Sequence, residues 1–188
     1  MIGFWKLNSM WIINCFKHFW TVCKHKYYVG KYCFKAGLYW RGITHDLSKF
    51  SPTEFFESVK YYNGKRSPIE ASKEENGYSK AWLHHKGRND HHYEYWQDNF
   101  DSGTTHIEMP YKAFAEMICD WFGANKAYNG SKASPLNESQ WWWYNKRPNA
   151  LSINIKTRDK IDCIMKQLEK SNSFDYICKN LKKIYYEN

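Results

Sequence analysis

Helical spacing of apolar and aromatic side chains is the feature that most constrains the fold of this chain. From Phe4 to about Leu38 such residues recur every three or four positions, and a second stripe of this kind follows Pro110. That spacing places them on one face of an α-helix, whereas a half-buried strand requires alternation at every second position. No run of alternating β-branched residues is present. The sequence therefore predicts an all-α helical bundle, and a length of 188 residues favours one domain over 1–188.

Capping signals predict where several helices begin. Ser51 precedes Pro52, and Glu54 follows three positions after Ser51, which is typical of a capped helix start. We expect that helix to run to about Tyr62. Thr157 is expected to cap a helix that continues to about residue 169. The remaining expectations are a last helix over about 174–186 and polar loops over 65–77 and 98–108, the first with room for a short helical turn.

Composition narrows the class of protein. The formal net charge of +9 favours anionic partners, either small phosphate-containing molecules or nucleic acid. The six cysteines form no C-x-x-C pair and lie in helical patterns, so free buried thiols are expected. The uncharged stretch from Leu7 to Phe16 is too short to cross a bilayer and resembles no signal peptide, which predicts a cytoplasmic protein with no membrane partner. The sequence leaves the oligomeric state open.

Histidines beside acids are the residues that point to chemistry. All eight histidines lie in the first 106 residues, and His45-Asp46 is the sharpest pair. Imidazole and carboxylate groups bind divalent transition metals, and helices from separate parts of the chain can bring them to one core. If the pair lies on a helix, its side chains diverge by about 100° and a shared ion must sit between them. Lys49 would then lie on the imidazole's face, where its charge suits an anionic substrate.

The order His25, His45-Asp46, Asp120 resembles the H…HD…D signature of the HD-domain superfamily, which comprises all-helical metal-dependent enzymes, mostly phosphohydrolases. The stretches HFWTVCKHKYYV, HDLSKFSPTEF, AWLHHKGRNDHHYEYW and MPYKAFAEMICDW are similar to a family of HD-like bacterial and phage proteins without an assigned function. The resemblance covers roughly 15–130, and a helical extension is expected over about 150–188.

The resemblance implies a set of metal ligands. The first group comprises His25, His45, Asp46 and Asp120, and further histidines of the kind that hold a second metal or contact phosphate are His85, His91 and His92. His85 and His92 are seven positions apart, about 10 Å on an unbroken helix, so only a break around Gly87 allows both to reach one centre. The expected cofactor is one or two divalent ions, of Mn, Fe, Ni, Zn or Mg.

The expected function is hydrolysis of a nucleotide or another small phosphate ester by a phosphohydrolase or phosphodiesterase. Asp46 and Lys49 are the expected catalytic residues, and Lys49, Lys86 and Arg88 the expected substrate-binding residues. Asn89 and Glu94 are candidates for orienting the histidines.

Two alternatives stay open. The HD-x-x-K pattern also occurs in di-iron oxygenases that resemble inositol oxygenase, which makes an oxygenase the first alternative. The second is a basic nucleic-acid-binding protein without catalysis.

Overall fold

The computed structural model describes the backbone of residues 2–64 and 66–187, and the side chains of 10–64 and 66–187. Nine α-helices lie in this part of the chain, which confirms the all-α prediction. They are α1 (Ile2–Lys35), α2 (Tyr39–Thr44), α3 (Pro52–Tyr61), α4 (Pro68–Asn76), α5 (Lys80–Lys86), α6 (Tyr111–Asn129), α7 (Pro135–Trp141), α8 (Ile155–Ser171) and α9 (Phe174–Glu187). Short 3-10 turns cover Leu47–Phe50, Tyr93–Trp96, Gly130–Lys132 and Arg147–Ser152, and a π-helical turn covers Trp142–Lys146.

Two polar segments that were expected to be loops carry regular structure. Residues 68–76 form α4, with Pro68 in its first turn and Gly77 ending it in the left-handed region. Within 98–108 lies most of a two-stranded antiparallel hairpin, β1 (Gln97–Phe100) and β2 (Gly103–His106). Both strands are largely exposed, so they lack the alternation of buried residues by which a strand is recognised in a sequence.

Helices α1 and α6 approach each other closely at Gly123. A Cβ atom on Gly123 would lie 2.3 Å from Cγ2 of Val29, so only glycine allows the two helices to come this near. Gly42 is similar, because its Cβ would lie 2.9 Å from Cβ of Cys33 and hold α2 away from α1. The contact at Gly123 allows His25 on α1 to come close to Asp120 on α6.

Capping explains the start of α3, while the cap expected for α8 is wrong. The hydroxyl of Ser51 accepts from the backbone N–H of Glu54, as predicted, and α3 ends at Tyr61. Helix α8 instead begins after Asn154, whose side chain accepts from the N–H of Thr157. The Thr157 hydroxyl is directed to Met109, whose N–H it accepts at 3.0 Å. Asn154 lies just before the helix, where its side chain reaches the free N–H groups of the first turn, whereas Thr157 lies inside that turn.

Helices α8 and α9 pack with α1 and α6 into one apolar core. Phe122 and Phe174 have ring centroids 4.6 Å apart, and Phe114 and Tyr185 are 5.2 Å apart. All six cysteines are free, as expected, and Cys33, Cys119 and Cys178 are buried in this region. The burial expected of the other three is only partial, at Cys15, Cys23 and Cys163. In the described part of the chain, every helix is too short or too polar to cross a membrane. The apolar packing covers one side of α6 and leaves the other side for polar groups.

Candidate metal centre

The His45-Asp46 pair lies in a turn rather than on a helix. Helix α2 ends at Thr44, His45 follows in an extended conformation, and Asp46 adopts φ 54° and ψ 28° in the left-handed region. The ammonium of Lys26 fixes this turn by donating to the carbonyl oxygen of His45 at 2.7 Å. The prediction that Lys49 shares a helix face with His45 is therefore wrong. Left-handed backbone at a non-glycine residue costs about 1–3 kcal/mol and is often found at functional sites.

The first ligand set is His25, His45, Asp46 and Asp120. Nε2 of His25 lies 3.2 Å from Oδ2 of Asp46, 3.1 Å from Oδ1 of Asp120 and 3.3 Å from Nε2 of His45. Ligand atoms about 2.1 Å from a metal ion stand about 3.0 Å apart in octahedral and about 3.4 Å apart in tetrahedral coordination. The separations in this set are those of the edges of a coordination polyhedron.

The second ligand set is Asp46, His85, His91 and His92. Nε2 of His85 and Nε2 of His91 each lie 3.3 Å from Oδ1 of Asp46. Nε2 of His85 is 2.9 Å from Nε2 of His92 because α5 ends at Lys86 and the chain turns back at Gly87. The break that these two histidines required is present.

Buried atoms without hydrogen-bond partners show where an ion fits. Oδ1 of Asp46, Oδ1 of Asp120 and Nε2 of His91 are buried, and none makes a hydrogen bond with the described residues. Such groups are costly in a protein interior unless something compensates them. A cation placed between the convergent atoms of each set would do so. The His/Asp clusters could therefore hold metal ions.

Two glutamates that sequence reasoning did not identify as site residues orient the histidines. Nδ1 of His45 donates to Oε1 of Glu116 at 2.8 Å, and Nδ1 of His91 lies 3.3 Å from the same oxygen. The other Glu116 oxygen accepts from the guanidinium of Arg41. Because the Nδ1 protons of these imidazoles face a carboxylate, Nε2 is the nitrogen that a metal can bind once each imidazole is neutral. Glu116 precedes Asp120 by one helical turn, which is the signal that could have identified it.

Glu54 plays the same part for the second set. Its two carboxylate oxygens accept from Nδ1 of His84 at 2.6 Å and from Nδ1 of His85 at 2.8 Å. Its backbone N–H satisfies the capping pattern of α3, but its side chain turns inward to these histidines. The capping interpretation concealed this role, since the same residue type serves both purposes.

The electrostatics of the centre are those of paired opposite charges. Burial alone would raise the pKa of Asp46, but His45, Lys49 and His85 outweigh it and hold that pKa well below its usual range. Burial would likewise raise the pKa of Glu116, which its hydrogen bonds with the histidines bring down to about 2. Burial would lower the pKa of His45, yet the neighbouring carboxylates raise it well above 6.5. These carboxylates are therefore ionised at neutral pH and available as ligands.

A cavity of about 230 Å³ opens onto both ligand sets. Nζ of Lys49 lies 2.6 Å from Oδ2 of Asp46 and lines the cavity. Burial opposes the charge of Lys49, but the carboxylates of Asp46 and Asp120 raise its pKa, so it stays cationic. His18 lines the same cavity, and burial together with the charge of Lys49 lowers the pKa of its imidazole to about 4. The remaining walls include Val22, Ser58, Pro68, Ile69, Ala81, Trp82, Ala124 and Tyr128.

Some expected residues lie elsewhere. Neither Lys86 nor Arg88 lines this cavity, and Arg88 donates to the carbonyl oxygen of His84. Asn89 donates to the backbone carbonyl oxygen of His85 at 2.8 Å, whereas the expected bond was one to an imidazole N–H group. Glu94 has a buried Oε2 atom without a hydrogen bond to the described residues.

Comparison with known proteins gives a family without a function. The model of a family of unknown function, DUF5662, matches residues 14–167, a span that contains all the ligands of both sets. No curated protein and no solved structure matches the chain.

Proposed function

The chain belongs to the DUF5662 family, whose function is unknown, and we propose that it is a metal-dependent phosphohydrolase that cleaves a nucleotide or another small phosphate ester. We place it in the HD-domain superfamily and in the cytoplasm as part of the same proposal. The support comes from the residues of the centre and from the cavity above them.

The observation that carries the proposal is the position of Asp46. Its Oδ2 faces His25 and His45, while its Oδ1 faces His85 and His91. One carboxylate shared by two ligand sets is the arrangement that holds two divalent ions close together. Two such ions, when bound, lower the pKa of water and neutralise the oxygens of a phosphoryl group during in-line displacement.

The chain's own residues complete the reaction. Lys49 presents a fixed positive charge at the cavity, where it can bind a phosphoryl oxygen and stabilise charge that develops on it. Asp46 holds Lys49 in place through their ion pair. The neutral His18 imidazole on the cavity wall can donate a hydrogen bond to an oxygen of the ester. A volume of about 230 Å³ admits a phosphate group with a short substituent and is small for a drug-sized ligand.

The ligand chemistry keeps a di-iron oxygenase as a second candidate. Five imidazoles belong to the two sets, from His25, His45, His85, His91 and His92. Imidazole suits Fe, Zn and Ni, whereas Mg prefers oxygen ligands. This composition favours a transition metal and is compatible with either reaction. Binding of nucleic acid without catalysis stays a prediction from charge alone.

Metal analysis and anaerobic phosphate release test the proposal together. The protein is stripped with a chelator, reloaded separately with Mn, Mg, Ni, Fe or Zn, and assayed for inorganic phosphate with a panel of small esters and nucleotides. We expect about two ions per chain and release of phosphate without oxygen. Asp46→Ala should lose both ions and the activity, whereas the matched control Asp175→Ala, on the exposed side of α9, should keep both.

The outcomes separate the candidates. Metal-dependent turnover of a polyol or phosphonate only when oxygen is supplied would replace the hydrolase by the oxygenase. Equal metal content in wild type and Asp46→Ala would remove the metal centre altogether.

A further inference from the structure

A second pocket lies on α6 and α7, outside the cavity of the metal centre. Its volume is about 390 Å³, and we call it the tryptophan pocket after two of its walls. The rings of Trp121 and Trp141 meet edge to face, with centroids 5.7 Å apart and planes at 78°. Together they form an aromatic corner that can stack against one flat ring. The other lining residues are Ala124, Asn125, Tyr128, Asn129, Asn137 and Glu138.

The polar side of the tryptophan pocket is an ordered chain of amides ending at a buried acid. Asn129 donates to Oδ1 of Asn125 at 3.2 Å, and Asn125 donates to Oε2 of Glu138 at 2.6 Å. Glu138 is 5% exposed. Burial, opposed by the hydrogen bond from Asn125 and reinforced by the charge of Asp120, raises the pKa of Glu138 to about 7. A carboxyl group in this state can accept a hydrogen bond and, when protonated, also donate one.

Nothing in the proposed hydrolysis uses Glu138. A buried acid with one hydrogen-bond partner is an expensive feature, because burial costs free energy that one amide only partly restores. Its placement beside two tryptophans and three asparagines gives the pocket both a stacking surface and an edge of alternating donors and acceptors. Nucleobases are bound through these two kinds of contact, by stacking on aromatic rings and by paired hydrogen bonds to amide and carboxyl groups.

The tryptophan pocket adjoins the metal centre. Ala124 and Tyr128 line both this pocket and the cavity above the ligand sets. Asn125 follows the candidate ligand Asp120 by five positions on α6, an axial distance of about 7.5 Å. That separation is comparable with the sugar that joins the phosphate and the base of a nucleotide.

We propose that the tryptophan pocket is a subsite for the base of a nucleoside monophosphate whose phosphate lies at the metal centre, with Trp141 stacking on the ring and Glu138 and Asn125 binding its edge. This inference rests on the proposed phosphohydrolase function for the placement of the phosphate. The binding of the base itself is independent of any reaction.

Nucleoside binding tests the subsite directly. Adenosine, guanosine, cytidine and uridine are titrated separately into the full chain, and binding is followed by saturation-transfer NMR. We expect saturable binding of at least one nucleoside, weakened roughly 5- to 100-fold in Trp141→Ala because stacking is lost. Tyr144→Ala is the matched control, since Tyr144 is 77% exposed, lies three residues further on and does not line the pocket. Glu138→Gln should change the preference among the four bases while keeping Trp141 in place.

Kinetics then place the base and the phosphate on one substrate. The value of kcat/KM for phosphate release should be at least about tenfold higher for the bound nucleoside's 5′-monophosphate than for ribose 5-phosphate. Trp141→Ala should remove that difference, mainly through KM. If no nucleoside binds, or if Trp141→Ala and Tyr144→Ala bind alike, the subsite is wrong whatever the enzyme hydrolyses. If nucleosides bind but no ester releases phosphate, the subsite stands and the proposed function fails.

Discussion

The two faces of α6 are both buried, yet they are held in different ways. One face carries Phe114, Ile118 and Phe122, which pack against apolar residues of the C-terminal helices. The opposite face carries Glu116 and Asp120, whose carboxylates pair with histidines from other elements. Apolar packing is non-directional and needs only shape, whereas each buried carboxylate needs its own partner at a fixed distance. On the polar face, the position of each single carboxylate or imidazole atom therefore decides whether a buried charge has its partner.

The largest effect is expected from removing a ligand on the polar face. Asp120→Ala deletes one carboxylate of the first ligand set and leaves the second set complete. We expect the chain to keep about one ion and to lose about 10³-fold in phosphate release, because one ion alone cannot clamp both reacting oxygens. Elemental analysis and initial rates measure this. Retention of both ions would show that Asp120 is no ligand.

An equally buried apolar residue should give the opposite pattern. Ile118 is 0% exposed, and Ile118→Ala removes its packing on the other face of α6. We expect a loss of about 2–5 kcal/mol in the free energy of unfolding, with unchanged metal content in the folded protein. Urea denaturation and elemental analysis of the same sample give both quantities. A loss of metal here would mean that the two faces are coupled through the backbone of α6.

Glu116 tests whether orientation of the histidines matters apart from ligation. Glu116→Gln keeps the size of the side chain but weakens its acceptance from His45. We expect metal affinity to fall about 10- to 100-fold while saturating metal restores most activity, because such supporting carboxylates tune their ligands by that amount. Competition with a chromogenic chelator measures the affinity. Glu169→Gln, on the exposed side of α8, serves as the control and should leave the affinity unchanged.

The smallest effect is expected in the pH dependence of stability, with and without metal on the polar face of α6. In the metal-free protein, carboxylates raise the pKa of His45 and His91 above 6.5, so their contribution to stability is complete below pH 6.5 and is lost as pH rises through the folded pKa. The metal-loaded protein needs neutral imidazoles and should gain stability over the same rise. The two slopes of the free energy of unfolding against pH should have opposite signs and should differ by about 1 kcal/mol per pH unit or more. Thermal melts from pH 6 to 8, with and without Mn, measure them, and parallel slopes would contradict this account.

Much of the fold could be predicted from the sequence because caps and apolar periodicity mark a helix within its own few turns. The boundaries of α3 and α9 came from capping and periodicity within a residue or two. The short exposed hairpin and α4 were not predicted, since polar segments carry no stripe of apolar residues that would indicate a helix or strand. The seven metal ligands that the HD-domain resemblance implies all lie in the two ligand sets.

The sequence by itself determined which residues have side chains of the kind that bind metals and which segments are helical, because both depend on residue type and on spacing along a few turns. Only the tertiary structure decided that Asp46 faces two ligand sets, that Glu54 and Glu116 support the histidines, and that Lys86 and Arg88 stay outside the cavity. Those outcomes depend on the left-handed turn at Asp46 and on how closely α1 approaches α6 at Gly123. Distances between parts of the chain far apart in sequence are set by packing, and no local pattern encodes them.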